Sequence, residues 1–182
     1  MSDPAIAVEI EDEAWTRALP EAAAVAEKAA EAVLNYLARP GGGRDPGLDR
    51  SHSAGKDWAA ASAGTSGLEV TILLTDDEAV RDLNARFRGK DGSTNVLSFP
   101  APDFARPHLG DLALAYGVCA QEASAQGKTL ADHLSHLTVH GVLHLLGYDH
   151  EAEEEAEQME AMERRILEQL GVRDPYAHEA DA

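Results

Sequence analysis

Residues 129–150 read TLADHLSHLTVHGVLHLLGYDH. Thr129 with Asp132 three residues on is a helix-opening pair, because a threonine oxygen accepts from the first free backbone N–H groups. The spacing predicts a helix over 130–146. Gly147 follows its last turn and can take the positive φ of a C-terminal cap. At about 100° per residue, His133, His136, His140 and His144 fall within one arc of roughly 80°. The other faces carry Leu134, Thr138, Val139, Val142, Leu145 and Leu146. A helix so apolar is buried against other elements, and its one polar stripe is expected to line a cleft.

Downstream, Ala156, Met159, Met162, Ile166 and Leu170 recur at helical spacing and predict a helix over about 154–170, stopped by Gly171. Its methionines read as core and its glutamates as a solvated face. Upstream, 117–126 reads as a short helix, and 109–115, 94–99 and 68–74 as strands. Ile6, Val8 and Ile10 alternate as on a half-buried strand. Thr75-Asp-Asp-Glu78 has capping-box form and opens a helix through about Phe87. Pro20 to Arg39 is alanine-rich and predicts another, ended by Pro40 and Gly41–Gly43. The expectation is an α+β fold, with a small mixed sheet of about four strands packed with about five helices. We read the 182 residues as a single domain. Residues 40–67, rich in Gly, Ala, Ser and Asp, read as a flexible insertion.

The lone cysteine, Cys119, excludes an intramolecular disulfide and reads as a small buried hydrophobe. The first residues are acidic, without the basic start and apolar run of a secretory signal, and no stretch is apolar enough to span a bilayer. A cytoplasmic location is expected, with no membrane partner. The net charge of −18 counts against nucleic acid as a partner. The charge is uneven, however. Residues 151–163 hold seven glutamates and no base, whereas Arg81, Arg86, Arg88 and Lys90 face only Asp82 within 81–90. A local basic patch can hold a phosphate on an acidic protein.

His140 and His144 lie one turn apart on the same helix face, so their imidazoles can share one metal. Beyond the Gly147 bend, His150 can supply a third nitrogen. Three histidines leave a tetrahedral position open, as in a catalytic zinc site. A single helical histidine is usually an ordinary hydrogen-bonded neighbour; three at this spacing are read as the ligands of one Zn2+ ion. His133 and His136 are read as hydrogen-bonded neighbours or substrate contacts. The spacing also matches the metzincin pattern, in which a glutamate follows the first histidine and acts as general base. Here that position is Gly141, so a metzincin-like metalloprotease is the runner-up.

Three blocks resemble one family: FRGKDGSTNVLSFP at 87–100, LGDL at 109–112, and HGVLHLLGYDH at 140–150, with LGVRDPY at 170–176 also similar. They are similar to the YbeY family, bacterial endoribonucleases of ribosomal RNA maturation, over about residues 68–176. The resemblance implies a small α+β fold, one zinc ion on His140, His144 and His150, and single-strand-specific RNA cleavage in ribosomal RNA processing and ribosome quality control. It also implies a required Arg88 near the metal. RNA, with small ribosomal subunit proteins, is then the expected partner, and DNA is not. A bound metal activates water or a ribose hydroxyl against phosphate. Arg88 and His140 are the expected catalytic residues, and Arg88, Lys90, Asp111 and His136 the expected substrate contacts. Asp111 and Asp149 each read either as a partner of a ligating imidazole or as a turn residue. Ser98 and Asn95 are placed in the cleft. No residue reads as a clear general base. A non-catalytic ribosome-assembly RNA-binding factor is the second alternative.

Overall fold

The computed structural model describes residues 5–38, 67–90, 92–105, 107–148 and 152–175. The reading of 40–67 as an insertion lies outside these, Gly67 excepted, and so do Asp149 and His150. Four strands form one mixed sheet in the order β1-β2-β4-β3. β1 (Ala5–Ile10), β2 (Glu69–Thr75) and β4 (His108–Ala115) run parallel, and β3 (Val96–Pro100) pairs antiparallel with β4. The described helices are α1 (Ala14–Ala18), α2 (Ala22–Ala38), α3 (Asp77–Arg88), α4 (Tyr116–Ala125), α5 (Leu130–Leu145) and α6 (Glu153–Gln169). The expected α+β class and mixed four-stranded sheet are what the chain forms.

Two local readings shift. The cap of α3 is Asp76, whose carboxylate accepts from Ala79 N at 2.7 Å, while Thr75 ends β2. The short α1 goes unforeseen because five residues are too few to show a helical period. It is held by Trp15, fully buried, whose indole N–H donates to Thr75 O.

Alternation along β4 separates two faces. Leu112 and Leu114 join the larger core with α2, α5 and α6, through residues such as Leu34, Leu134, Val142, Leu143, Met159 and Ile166. Ala113 and Ala115 face the other way, with Leu97 of β3 and Val80 of α3. α3 and α5 therefore pack on opposite faces, and the edge strand β3 touches both. α5 packs so closely on β4 that a Cβ added at Gly141 meets Leu112 methyls at 2.8 and 3.0 Å. No helix among the described residues is long and apolar enough to cross a membrane.

Candidate metal and substrate site

α5 opens as its sequence predicts, with Thr129 Oγ1 accepting from Asp132 N at 3.1 Å. Its histidine stripe is not open to solvent along its whole length. His133, at the N-terminal end, is buried, and its Nε2 lies 3.1 Å from Glu122 Oε1 of α4. Asn95 donates to the same oxygen at 2.9 Å. Since a carboxylate only accepts, His133 carries its proton on Nε2. Its Nδ1 is then a buried lone pair, with no partner among the described residues. Burial lowers its pKa below the ordinary imidazole value, against the opposing pull of Glu122.

One and two turns further along, His136 and His140 converge on a second carboxylate. Glu163 of α6 is fully buried. Its Oε1 lies 2.5 Å from His140 Nδ1, and its Oε2 lies 3.4 Å from His136 Nε2. His140 turns its other nitrogen to His144, with the two Nε2 atoms 3.0 Å apart. The His140 side chain keeps 27% of its surface exposed, so this end of the stripe is the accessible one.

This donor set suits a metal ion. With zinc–nitrogen bonds of about 2.0–2.1 Å and tetrahedral angles, neighbouring ligand nitrogens sit about 3.3 Å apart, close to what the pair shows. A carboxylate on the far nitrogen of a ligating imidazole is the usual accompaniment of such a site. Two nitrogens do not complete it. Among the described residues no three His, Cys, Asp or Glu side chains are placed to hold a metal ion together. His150, the third expected ligand, lies outside them. The backbone does bend where expected: Gly147 takes φ 96°, and its N–H donates to His144 O at 3.0 Å.

The expected substrate residues divide between the faces. Arg88 is the last residue of α3, exposed, and Lys90 follows it, also exposed. Asp111 alternates with Leu112 and so faces the α3 side of the sheet. Its carboxylate lies 3.3 Å from His108 Nε2, away from the histidines of α5. His136 is drawn onto Glu163. Ser98 faces α5, where its hydroxyl donates to Gly141 O at 3.3 Å, and Asn95 braces Glu122. These last two are ties between elements. Cys119 is buried as expected, and burial, then Glu122 and Asp77, holds its thiol well above the ordinary range.

Glu163 and Glu122 were not foreseen as partners of the histidines. The reading of the α6 glutamates as a solvated face is corrected for Glu163. It stands four after Met159 and three before Ile166, on the apolar stripe, and that spacing was the available signal. Nothing in the sequence marks Glu122. Two phenylalanine rings among the described residues are exposed. Phe104, in the 3-10 turn Asp103–Ala105, is 91% exposed, and Phe87, beside Arg86 and Arg88, is 68% exposed. Phe87 meets Phe99 of β3 edge-on, with centroids 5.4 Å apart.

The position of Gly141 bears on the peptidase alternative. Any side chain there enters Leu112 and reaches Ser98 Oγ. A glutamate base at that place in α5 requires Leu112 and Ser98 to move aside.

A family model described as Endoribonuclease YbeY matches residues 53–171, beginning inside the 40–67 stretch. A protein named Endoribonuclease YbeY from Rhodopseudomonas palustris is 58% identical over 124 residues, covering 65% of this chain and 65% of that relative. One of the same name from Paramagnetospirillum magneticum is 44% identical over 182 residues, covering 96% of each. A solution structure of a Thermotoga maritima protein superposes with a TM-score of 0.49 at 20% identity, over 92% of this chain and 91% of that one.

Proposed function

The chain belongs to the YbeY endoribonuclease family, and on that premise we propose that it cuts single-stranded RNA internally, using one zinc ion held by His140, His144 and His150. Ribosomal RNA is the natural substrate in this reading, the cytoplasm the place of action, and small ribosomal subunit proteins the accompanying partners. The observation that carries it is the pair of Nε2 atoms 3.0 Å apart at the accessible end of the stripe. A zinc ion, when bound there, supplies Lewis acidity toward phosphate oxygens.

The chain's own groups do the rest. Arg88 binds non-bridging phosphate oxygens through its planar guanidinium and offsets the charge that develops on them. Lys90 adds a second, less directional contact. The exposed rings of Phe87 and Phe104 offer stacking faces to unpaired bases, which accounts for a preference for single strands. Since α3 and α5 pack on opposite faces, a strand touching both Arg88 and the histidine pair passes around the β3 edge. His136, on Glu163 beside His140, reaches the substrate only where its partly exposed ring meets the same end of α5.

The test is cleavage of a fluorogenic single-stranded RNA by purified protein, stripped of metal and then reloaded with zinc. Cleavage is expected to vanish on stripping, to return with zinc, and to be lost in His140→Ala and in Arg88→Ala while both variants stay folded. Cleavage that survives stripping and His140→Ala overturns the proposal. Folded protein that binds RNA and zinc yet never cleaves favours the assembly-factor alternative.

A further inference from the structure

We infer that Glu163 is the positioning residue of the histidine pair: a buried carboxylate, brought by α6, that fixes the ring and tautomer of His140. The inference rests on the metal-holding reading of His140 and His144 and goes beyond it, to a residue outside the histidine motif.

Glu163 is the one acidic side chain among the described residues that is buried. A carboxylate taken out of water is strongly unfavourable unless its oxygens find donors. Here both oxygens face imidazole nitrogens of one helix: Oε1 takes His140 and Oε2 takes His136. The rest of the stripe around it is apolar, with Met159, Met162, Ile166 and Leu167 all buried. A leucine or methionine would continue that stripe, so packing alone does not explain an acid at 163.

What the acid does follows from its chemistry. It has only lone pairs to offer, so His140 must present N–H at Nδ1. In the neutral ring that leaves the lone pair on Nε2, the atom facing His144. A free histidine exchanges between two tautomers and swings about χ1 and χ2. The Glu163 contact selects one tautomer and one ring orientation before any ion arrives. Outer carboxylates of this kind raise metal affinity by about 10–100-fold. The second contact, to His136, ties α5 to α6 and keeps the carboxylate from rotating away.

The test uses full-length protein and two variants. Glu163→Met fills the same space without an acceptor. Glu163→Gln keeps the shape and one acceptor oxygen, guarding against loss of fold. Zinc affinity is measured by competition with a chromophoric chelator. The His140 tautomer is read from imidazole 15N shifts of metal-free protein at fixed pH. We expect the methionine variant to bind zinc about 10–100-fold more weakly, the glutamine variant to lose less, and the His140 signal to leave the Nδ1–H form, with thermal unfolding still cooperative in both. Unchanged affinity together with an unchanged tautomer overturns the inference and leaves Glu163 a structural tie between helices. The tautomer arm needs no metal. Wild-type protein that fails to bind zinc therefore overturns the metal reading, while the 15N shifts still decide the role of Glu163.

Discussion

His133 shows how burial and hydrogen bonding set the state of one imidazole. Its Nε2 proton is committed to Glu122, so a second proton has to enter at the buried, unpartnered Nδ1. The folded protein resists that protonation, and its pKa is lowered accordingly. The unfolded chain does not resist, and its histidines take up protons near pH 6.5. As pH falls through that value the unfolded state binds the extra proton first, and stability is lost. We predict that the urea midpoint declines as pH drops from 7 toward 5. The decline is expected to be shallower in His133→Gln, where the glutamine still donates to Glu122. Equal slopes in the two proteins would show that other groups carry the acid sensitivity.

At the scale of elements, the contact of α5 with β4 is the tightest constraint on the site. A Gly→Ala change inside a helix ordinarily gains up to about 1 kcal/mol from propensity. At Gly141 the new methyl group runs into both Leu112 methyls, and Leu112 is fully buried, so it has to repack within the core to make way. Overpacking of this kind costs about 1–3 kcal/mol, so the clash outweighs the propensity gain. Gly141→Ala is expected to be less stable by about 1 kcal/mol, read from equilibrium urea unfolding. A stabilised variant would mean that Leu112 repacks, or α5 shifts on the sheet, at little cost. The same contact holds His140 and His144 in place relative to β3 and Ser98. A displaced α5 therefore disturbs the site as well as the core.

Taken whole, the molecule carries −18 in net charge yet concentrates exposed cations at the end of α3. Long-range repulsion disfavours RNA over most of the surface. Three side chains, Arg86, Arg88 and Lys90, remain to neutralise phosphates there. At about 0.7 per phosphate on a single strand, log affinity is expected to fall against log salt with a slope of about −2. Fluorescence anisotropy with a short unpaired RNA, at several potassium chloride concentrations, measures this. A slope steeper than about −4 would require phosphate contacts well beyond this patch.

Much of this was legible from local pattern. The 3.6-residue period of 130–146, the Thr129 cap and Gly147 defined α5 and its histidine stripe, because side-chain direction along a helix follows from backbone geometry alone. The alternation of Ile6, Val8 and Ile10 likewise marked β1, and 68–74 and 109–115 read as the strands that form β2 and β4. Three things came only with the packed chain: Glu163 against His140 from 23 residues away, Glu122 against His133, and the separation of Arg88 and Asp111 from α5 by the sheet. Periodicity tells which way a side chain points from its own element. What it meets there depends on how elements stack, and that is settled by burial of surface across distant parts of the chain.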